Sequence, residues 1–393
     1  MSIFENIRTL ASSAFNPHLE AARRAGAPVI GYFCSYVPDE IIHAAGGVPY
    51  RMRATETAGT TMGDAWYSSI NCTFARHCFD KALRGRFDFL DGIVFMNGCD
   101  HLRRMYDNWR YADIPPAFRH MFVTPHVISE NSLEQYRKEC AKLIRALEAH
   151  FKISVTDEKL RESVRLYDRK RSLLGELYEL RRGEALPIRG SEFLSLLLAV
   201  TAVPVEKAIE ILTETIQAAR GRDVSRQAEV RVFLAAGHVE EIDHLELLEE
   251  CGAAVVCDNM CIGLRHFDGL AGERDDVLGA ISRRYLQHLS CPRMVNDFRR
   301  RLAHVQETIK AYGARAVILE KLKFCDLWGG EAFIWRRELT KHGIPILVLE
   351  RELYGGGTGQ LKTRLQAFFE QVCNRQAADC SITGTAAEYR KKS

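Results

Sequence analysis

Residues 91–109, DGIVFMNGCDHLRRMYDNW, indicate both the fold and the place where chemistry is expected. A short apolar run at 93–96 stops at Asn97 and Gly98, and Cys99 follows at once. An apolar run of this length between turn residues is typical of a buried parallel strand. Ligands of open α/β sheets bind just beyond the carboxyl ends of the strands, which is where Cys99 is predicted to lie.

The same pattern returns late in the chain. The apolar run AVIL at 316–319 is followed by KFCD, which contains Cys325, and a third cysteine, Cys72 in INCTFARHC, precedes a helix-like segment. Two strands that each bring a Cys-Asp pair to one edge of a sheet predict a shared site. We therefore predict that Cys72, Cys99 and Cys325 bind an iron–sulfur cluster, although such clusters usually have four cysteine ligands. One iron without a cysteine would leave an open position, as in catalytic zinc sites.

Predicted strands and helices alternate in two parts of the chain, which predicts parallel crossovers. The strands are expected at 27–34, 48–52, 93–96, 120–124, 230–235, 253–257, 316–320 and 344–349. Residues 131–220 contain no plausible strand and show amphipathic helical periodicity. The predicted fold class is α/β, with two doubly wound parallel-sheet domains and a helical insert. The expected divisions are 1–130 for a first α/β domain with N-terminal helices, 131–225 for a helical linker, 226–375 for a second α/β domain and 376–393 for a flexible tail.

Composition restricts the function further. The 393 residues include 54 basic and 51 acidic ones, a net charge of +3, which predicts neither a nucleic-acid partner nor an anionic membrane surface. No apolar run approaches the roughly 18 residues of a membrane span, and the first residues lack a signal peptide's apolar core, so a cytoplasmic location is expected. Twelve cysteines in a reducing compartment do not form a disulfide framework. Most, such as Cys140 on an apolar helical face, are expected to be buried.

A rival set of metal ligands is Cys257, Cys261 and Cys291. The first two stand in CDNMC, and Cys291 precedes a proline as in some cluster motifs. In the alternative interpretation, Cys257 ends a strand and Cys261 is a buried loop or helix residue. We favour that alternative because free cysteines are usually buried.

Other candidates are weaker. The stretch YGGGTGQLKTR at 354–364 opens a helix, whose N-terminus would attract phosphate, but it matches no standard phosphate-binding motif and a flexible turn is as good an interpretation. Three histidines are candidate proton donors, namely His77, His101 and His238. His101 is the one predicted to be catalytic, because it lies two residues beyond Cys99. The pair Arg103-Arg104 either binds a phosphate or carboxylate or lies on a solvated helix face.

Several motifs taken together resemble the 2-hydroxyacyl-CoA dehydratase and benzoyl-CoA reductase superfamily. They are GYFCSYVPDEIIHAAGGVPYRM, INCTFAR, FMNGCDHLRRMYDNW, VCDNMCIGLRHF, KLKFCD and GQLKTRLQAFFE, in this order from about Gly31 to Phe369. The resemblance implies two α/β domains and one [4Fe-4S] cluster bound by three cysteines. Carried over by motif, these are Cys72, Cys99 and Cys325, which disfavours the rival set.

Within the superfamily, the wording of NCTFARHC and MNGCDHLRRMYDNW is most similar to the cluster-binding catalytic subunits of ATP-dependent benzoyl-CoA reductase, of B or C type, with the modest length favouring C. This resemblance implies a related cluster-binding sister subunit, ATP-hydrolysing activator subunits, ferredoxin as electron source and an acyl-CoA substrate. The implied reaction is the two-electron reduction of the aromatic ring of benzoyl-CoA to a cyclohexadiene-carbonyl-CoA. This chain has no ATP-binding loop motif, which agrees with a separate activator.

Two alternative functions stay open. The first is a 2-hydroxyacyl-CoA dehydratase subunit, a radical lyase that consumes no net electrons. The second is an electron-relay or scaffold subunit that does not itself bind substrate.

Overall fold

The computed structural model describes residues 2–222 and 230–389, with side chains described up to residue 374. Within these residues the backbone forms eight β-strands and fifteen α-helices. The strands are β1 Val29–Tyr32, β2 Val48–Arg51, β3 Gly92–Met96, β4 Phe118–Phe122, β5 Val230–Ala236, β6 Ala253–Asp258, β7 Ala316–Leu322 and β8 Ile346–Arg351. The helices are α1 Ile3–Ser12, α2 Pro17–Arg24, α3 Asp39–Ala44, α4 Thr73–Leu83, α5 Asp100–Tyr111, α6 Glu130–Phe151, α7 Asp157–Glu179, α8 Gly190–Val200, α9 Val205–Arg220, α10 Ile242–Glu250, α11 Leu264–Phe267, α12 Val277–Gln287, α13 Phe298–Ala311, α14 Asp326–Lys341 and α15 Thr358–Tyr389.

The strands form two parallel sheets with the same order of connection. The first sheet has the order β2-β1-β3-β4 and the second β6-β5-β7-β8, and all the pairs are parallel. In each sheet the first and third strands are neighbours, so the chain reverses its direction of winding between them. The crevice at the carboxyl ends of two such strands is where ligands bind in this class of fold. The predicted α/β fold class with two doubly wound parallel sheets is confirmed.

The apolar runs become parallel strands because both faces of each sheet are covered. All five residues of β3 are buried. Val94 and Met96 pack into one hydrophobic cluster, whereas Ile93 and Phe95 pack into another on the opposite face. A strand with both faces in the core needs a continuous apolar run rather than an alternating one, which is why these short runs predicted the sheets.

Residues 130–220 are helical, as expected, and they pack against both sheets. Helix α6 covers the first sheet with Tyr136, Cys140 and Leu143, and Cys140 is fully buried there, as predicted. Helix α8 is almost wholly buried in the core of the second sheet. Helix α7 contributes its first half to one core and its second half to the other. The division into domains at 131 and 226 stays a prediction.

Some element boundaries differ from the expected ones. Helix α14 begins at Asp326, directly after Cys325, whereas the sequence indicated a start near residue 331. Gly329 and Gly330 disfavour a helix by their intrinsic propensity, but tertiary packing of α14, with Trp328 and Trp335 buried, overrides that preference. The backbone of α15 continues to Tyr389, so much of the predicted flexible tail is helical. Residues 390–393 lie outside the described residues.

The contact between α8 and the second sheet gives a stability prediction. A Cβ at Gly190 would lie 2.7 Å from the Cβ of Val255 and 3.1 Å from its carbonyl oxygen. Because this neighbour is partly backbone, Gly190→Ala is expected to lower the free energy of unfolding by about 1–3 kcal/mol. Gly175→Ala in α7 is the matched control, since no atom lies within 4 Å of its added Cβ, and it should raise stability by about 0.5–1 kcal/mol. Urea unfolding of both variants checks this, and equal midpoints would contradict the packing argument.

Candidate metal centre

Cys72, Cys99 and Cys325 come together where the two sheets meet at their carboxyl edges. Cys99 follows β3 and Cys325 follows β7, the corresponding third strands of the two sheets. Cys72 belongs to the same hydrophobic cluster against which the other two sulfurs pack. The three thiols also act on one another electrostatically: Cys325 raises the pKa of Cys72, and both of these raise that of Cys99.

Each of the three cysteines is the N-cap residue of a helix, namely α4, α5 and α14. The positive ends of three helix dipoles therefore converge on the sulfurs. None of the three sulfurs makes a side-chain capping hydrogen bond of ordinary geometry, yet first-turn amides face each sulfur and lower its pKa. These amides are Phe74 and Ala75 for Cys72, His101 and Leu102 for Cys99, and Leu327 and Trp328 for Cys325. Such an arrangement stabilises negative charge on sulfur.

Burial works in the opposite direction. It raises the pKa of Cys72 to about 12 and that of Cys325 to about 11, and it raises the pKa of Cys99 well above the usual thiol range. At neutral pH the three buried thiols therefore stay protonated when no cation is bound. A metal reverses this because thiolates are its ligands, and its binding releases the protons. Burial thus makes the charge state of the site depend on the metal.

His101 joins the three cysteine-bearing segments. Its Nε2 lies 2.7 Å from the carbonyl oxygen of Phe324, and its Nδ1 lies 2.9 Å from Oδ1 of Asn71. These two partners immediately precede Cys325 and Cys72, while His101 itself is two residues beyond Cys99. Both ring nitrogens thus contact the protein, as expected of a residue that positions the loops. The catalytic role predicted for His101 stays a prediction.

Phe324 has a strained backbone. Its φ of +63° lies in the left-handed region, which costs a bulky residue about 1–2 kcal/mol. The conformation occurs where its carbonyl meets His101, and the ring is 42% exposed. Strain of this kind collects at functional sites. The sequence contains no signal for it, since Phe324 reads as an ordinary apolar residue, and Asn71 drew no notice beside Cys72.

The three thiols suit a multi-iron cluster better than a single ion. Among the described residues, no three His, Cys, Asp or Glu side chains are close enough to hold one metal ion. Three thiolates on one tetrahedral ion at about 2.3 Å would lie about 3.8 Å apart. In a cubane each cysteine binds a different iron, so the sulfurs lie further apart around a common centre. Three cysteines that face a common centre from three helix N-termini fit this second arrangement.

The rival set of cysteines does not converge. Cys257 is buried in β6, where Arg181 and Asp258 are its charged neighbours. Cys261 and Cys291 interact with each other and with Cys325, so these two lie next to the candidate centre without Cys257. The alternative interpretation, with Cys257 in a strand and Cys261 in a loop, agrees with the structure.

The remaining histidines and arginines singled out by the sequence have structural partners. His77 contacts the hydroxyl of Thr57 at 2.8 Å and the carbonyl of Leu353 at 3.1 Å. His238 hydrogen-bonds Glu240 and stacks on Phe74. The arginines of α5 make pairs within that helix on an exposed face, which are Arg103 with Asp100 and Arg104 with Asp107.

The glycine-rich stretch borders a cleft of about 870 Å³. Its charged lining is mostly acidic, with Glu56, Glu240, Glu241, Asp243, Glu246, Glu250, Glu350 and Glu352 against His244, Lys323, Arg351 and Arg364. An excess of carboxylates repels phosphate, so the interpretation as a turn after β8 is favoured. Gly357 has a φ of +95°, a conformation that requires glycine in such a turn.

Glu320, in β7 beside this cleft, gives a pH prediction. Burial raises the pKa of its carboxyl group, but His244 at 2.7 Å and Arg351 at 3.1 Å lower it to about 2. Because this folded-state pKa lies below the unfolded value of about 4.3, the stability it contributes is complete above pH 4.5 and is lost as pH falls towards 2. Glu320→Gln should therefore cost about 3 kcal/mol at pH 7 and flatten the decline between pH 4.5 and 2.

Urea unfolding at several pH values checks this prediction. Glu350→Gln is the control, because that exposed carboxylate pairs only with Lys321 and surface ion pairs contribute 0–1 kcal/mol, as a rough range. An unchanged acid limb in Glu320→Gln would show that this buried group is not the source of the pH dependence.

In the part of the chain that the structure describes, no helix has the length and apolar content needed to cross a membrane.

Comparison with known proteins identifies one family. The model of the family described as 2-hydroxyglutaryl-CoA dehydratase, D-component, matches residues 34–372. The C-type subunit of benzoyl-CoA reductase from Thauera aromatica is 27% identical over 312 residues, covering 76% of this chain and 78% of its own. The (R)-2-hydroxyglutaryl-CoA dehydratase subunit beta of Acidaminococcus fermentans is 24% identical, covering 88% and 93%. The (R)-phenyllactyl-CoA dehydratase beta subunit of Clostridium sporogenes is 22% identical, covering 90% and 94%.

Proposed function

Because this chain belongs to the 2-hydroxyglutaryl-CoA dehydratase D-component family, we propose that it is a catalytic subunit of an ATP-dependent benzoyl-CoA reductase. In this proposal Cys72, Cys99 and Cys325 bind a [4Fe-4S] cluster. The observation that carries it is the convergence of these three cysteines from three helix N-termini, with His101 joining their loops. The reaction is the two-electron reduction of the aromatic ring of benzoyl-CoA to a cyclohexadiene-carbonyl-CoA.

Two observations favour the reductase. Among the relatives compared above, the benzoyl-CoA reductase subunit has the highest identity, 27%. The motifs around Cys72 and Cys99 also resemble those of the reductase subunits. The dehydratase relatives cover more of the chain, so a 2-hydroxyacyl-CoA dehydratase subunit is the second candidate.

The residues of the site do distinct work in this function. The thiolates of Cys72, Cys99 and Cys325 would hold three irons and leave the fourth without a cysteine. When bound, the cluster would supply single electrons at low potential, as such clusters do. The three helix N-termini favour negative charge on the thiolates. His101 fixes the relative positions of the loops, and burial keeps bulk water and its protons away from the sulfurs.

Partners are part of the proposal. Two apolar side chains, Ile70 at 65% exposure and Phe324 at 42%, flank the residues that His101 joins. Exposed apolar groups beside a buried site are typical of a surface that another protein covers. We propose that a related cluster-binding sister subunit, named as part of complexes by the relatives' subunit titles, covers this face. ATP-hydrolysing activator subunits and ferredoxin would supply the electrons, in the cytoplasm.

Anaerobic reconstitution tests the proposal. The chain, its sister subunit and the activator are combined with reduced ferredoxin and ATP, and consumption of benzoyl-CoA is measured. ATP-dependent loss of benzoyl-CoA with two electrons used per molecule is expected. Turnover of a 2-hydroxyacyl-CoA without net electron use would instead identify a dehydratase. If benzoyl-CoA is consumed but leaves this subunit's cluster signal unchanged, the chain is an electron-relay subunit.

A further inference from the structure

Arg265, next to the candidate centre, is a buried cation with unused donors. Its side chain is 0% exposed, and its Nη2 donates to the carbonyl oxygen of Ala236 at 2.9 Å and faces the sulfur of Cys261 at 3.2 Å. Its Nε and Nη1 have no hydrogen-bond partner among the described residues. Asp258 is near enough for Arg265 to lower the pKa of its carboxyl group, but its Oδ1 accepts from the amides of Met260 and Leu264. No ion pair between described residues joins Arg265 and Asp258.

Arg301 shows what a complete set of partners looks like. It is 1% exposed, forms an ion pair with Glu331 and donates to the hydroxyl of Ser290 and to the carbonyls of Cys291 and Met294. A buried guanidinium without such partners is costly. The unused donors of Arg265 therefore indicate an acceptor that is not part of this chain.

The position of Arg265 relates it to the cysteines. Its guanidinium lies over the indole ring of Trp328, 5.5 Å from the ring centroid, and Trp328 is in the first turn of α14, three residues after Cys325. Cys261, which Arg265 contacts, also acts electrostatically on Cys325. The indole Nε1 of Trp328 is itself a buried donor without a partner among the described residues. Two unused donors of different kinds thus lie side by side next to the candidate centre.

We propose that Arg265, with the indole N–H of Trp328, binds the thioester carbonyl oxygen of the acyl-CoA substrate; this inference rests on the proposed function. A carbonyl oxygen has two lone pairs, which two such donors satisfy. A planar guanidinium also stabilises any negative charge that the oxygen acquires during reduction of the acyl group. A site built in this way requires an acceptor at the thioester carbon and rejects an analogue that lacks it, since the buried donors would then stay unpaired.

The test compares two ligands that differ only at that oxygen. Benzoyl-CoA has the carbonyl group, and S-benzyl-CoA has a methylene group in its place. Dissociation constants are measured by equilibrium dialysis with the anaerobically purified complex. A hydrogen bond to a charged donor corresponds to about tenfold to hundredfold in affinity. The unaltered complex should therefore bind benzoyl-CoA more tightly than S-benzyl-CoA by about this factor. The complex with Arg265→Met should bind benzoyl-CoA as weakly as S-benzyl-CoA.

Two further variants keep the test decisive. Arg265→Lys retains a positive charge but not the planar fork, so it should keep part of the preference and serves if the methionine variant fails to fold. Arg53→Met is the matched control, because Arg53 is equally buried but donates to the carbonyls of Leu198 and Ser13. It should lose thermal stability and keep the full preference for benzoyl-CoA.

The outcomes separate this inference from the proposed function. If the unaltered complex prefers benzoyl-CoA and both Arg265 variants retain that preference, Arg265 does not bind the carbonyl oxygen, while the proposed function stands. If the unaltered complex binds the two ligands equally, no carbonyl site exists. If it binds neither ligand, the inference fails together with the reductase function on which it rests.

Discussion

Cys72→Ser is expected to reduce the iron bound by the purified chain from about four atoms to nearly none, and to abolish benzoyl-CoA reduction with it. A serine hydroxyl is a poor ligand for iron beside two thiolates, and a cluster held by only two cysteines is not retained. The folded chain should survive the change, because Cys72 is the N-cap of α4 and serine is among the best N-cap residues. Iron analysis and electron paramagnetic resonance of the anaerobically purified variant measure the loss.

Cys78→Ser is the matched control for this prediction. Cys78 lies in the same helix and is fully buried, but its charged neighbours are Glu240 and Lys81. Its replacement should leave the iron content unchanged. Equal iron in the Cys72→Ser variant and the unaltered chain would remove Cys72 from the ligand set and, with it, the proposed function in its present form.

The second large effect is expected for His101→Ala. This change deletes both hydrogen bonds that join the segments of Cys72 and Cys325 to that of Cys99. We expect less than half of the normal iron content, a shifted reduction potential and a broadened resonance signal, because the sulfurs no longer have one fixed arrangement. Loss of two buried hydrogen bonds should also lower the free energy of unfolding by about 1–3 kcal/mol. His101→Gln retains one of the two contacts and should restore part of the iron.

His77→Ala distinguishes positioning from general stability. His77 also joins two distant segments, those of Thr57 and Leu353, so it should cost similar stability while leaving the reduction potential unchanged. If both histidine variants shift stability equally and neither alters the cluster signal, His101 has only a structural role. If His101→Ala keeps its iron and its potential but loses proton transfer to the substrate, the catalytic role predicted from the sequence is the better one.

Much of the fold could be predicted because its signals are local. Short apolar runs such as 93–96 and 316–319 sit between turn residues, and a strand buried on both faces has no other pattern available to it. Cysteines at the ends of two such runs predicted where chemistry would lie, since parallel strands present their carboxyl ends at one edge. Helix boundaries were less accessible: the start of α14 depends on the packing of Trp328 and Trp335, which overrides the low helix propensity of its two glycines.

Contacts between distant segments could not be predicted, and they make the candidate centre. His101 was chosen for its nearness to Cys99, but its partners Asn71 and Phe324 lie 30 and 223 residues away. Arg265 drew no attention, because a buried arginine is unusual only when its missing partners can be counted. Residue type and periodicity express burial and local backbone preference, and these already specify two parallel sheets with cysteines at their edges. Which side chains meet between the sheets depends on strand order and on how the two cores pack, so only the folded chain reveals it.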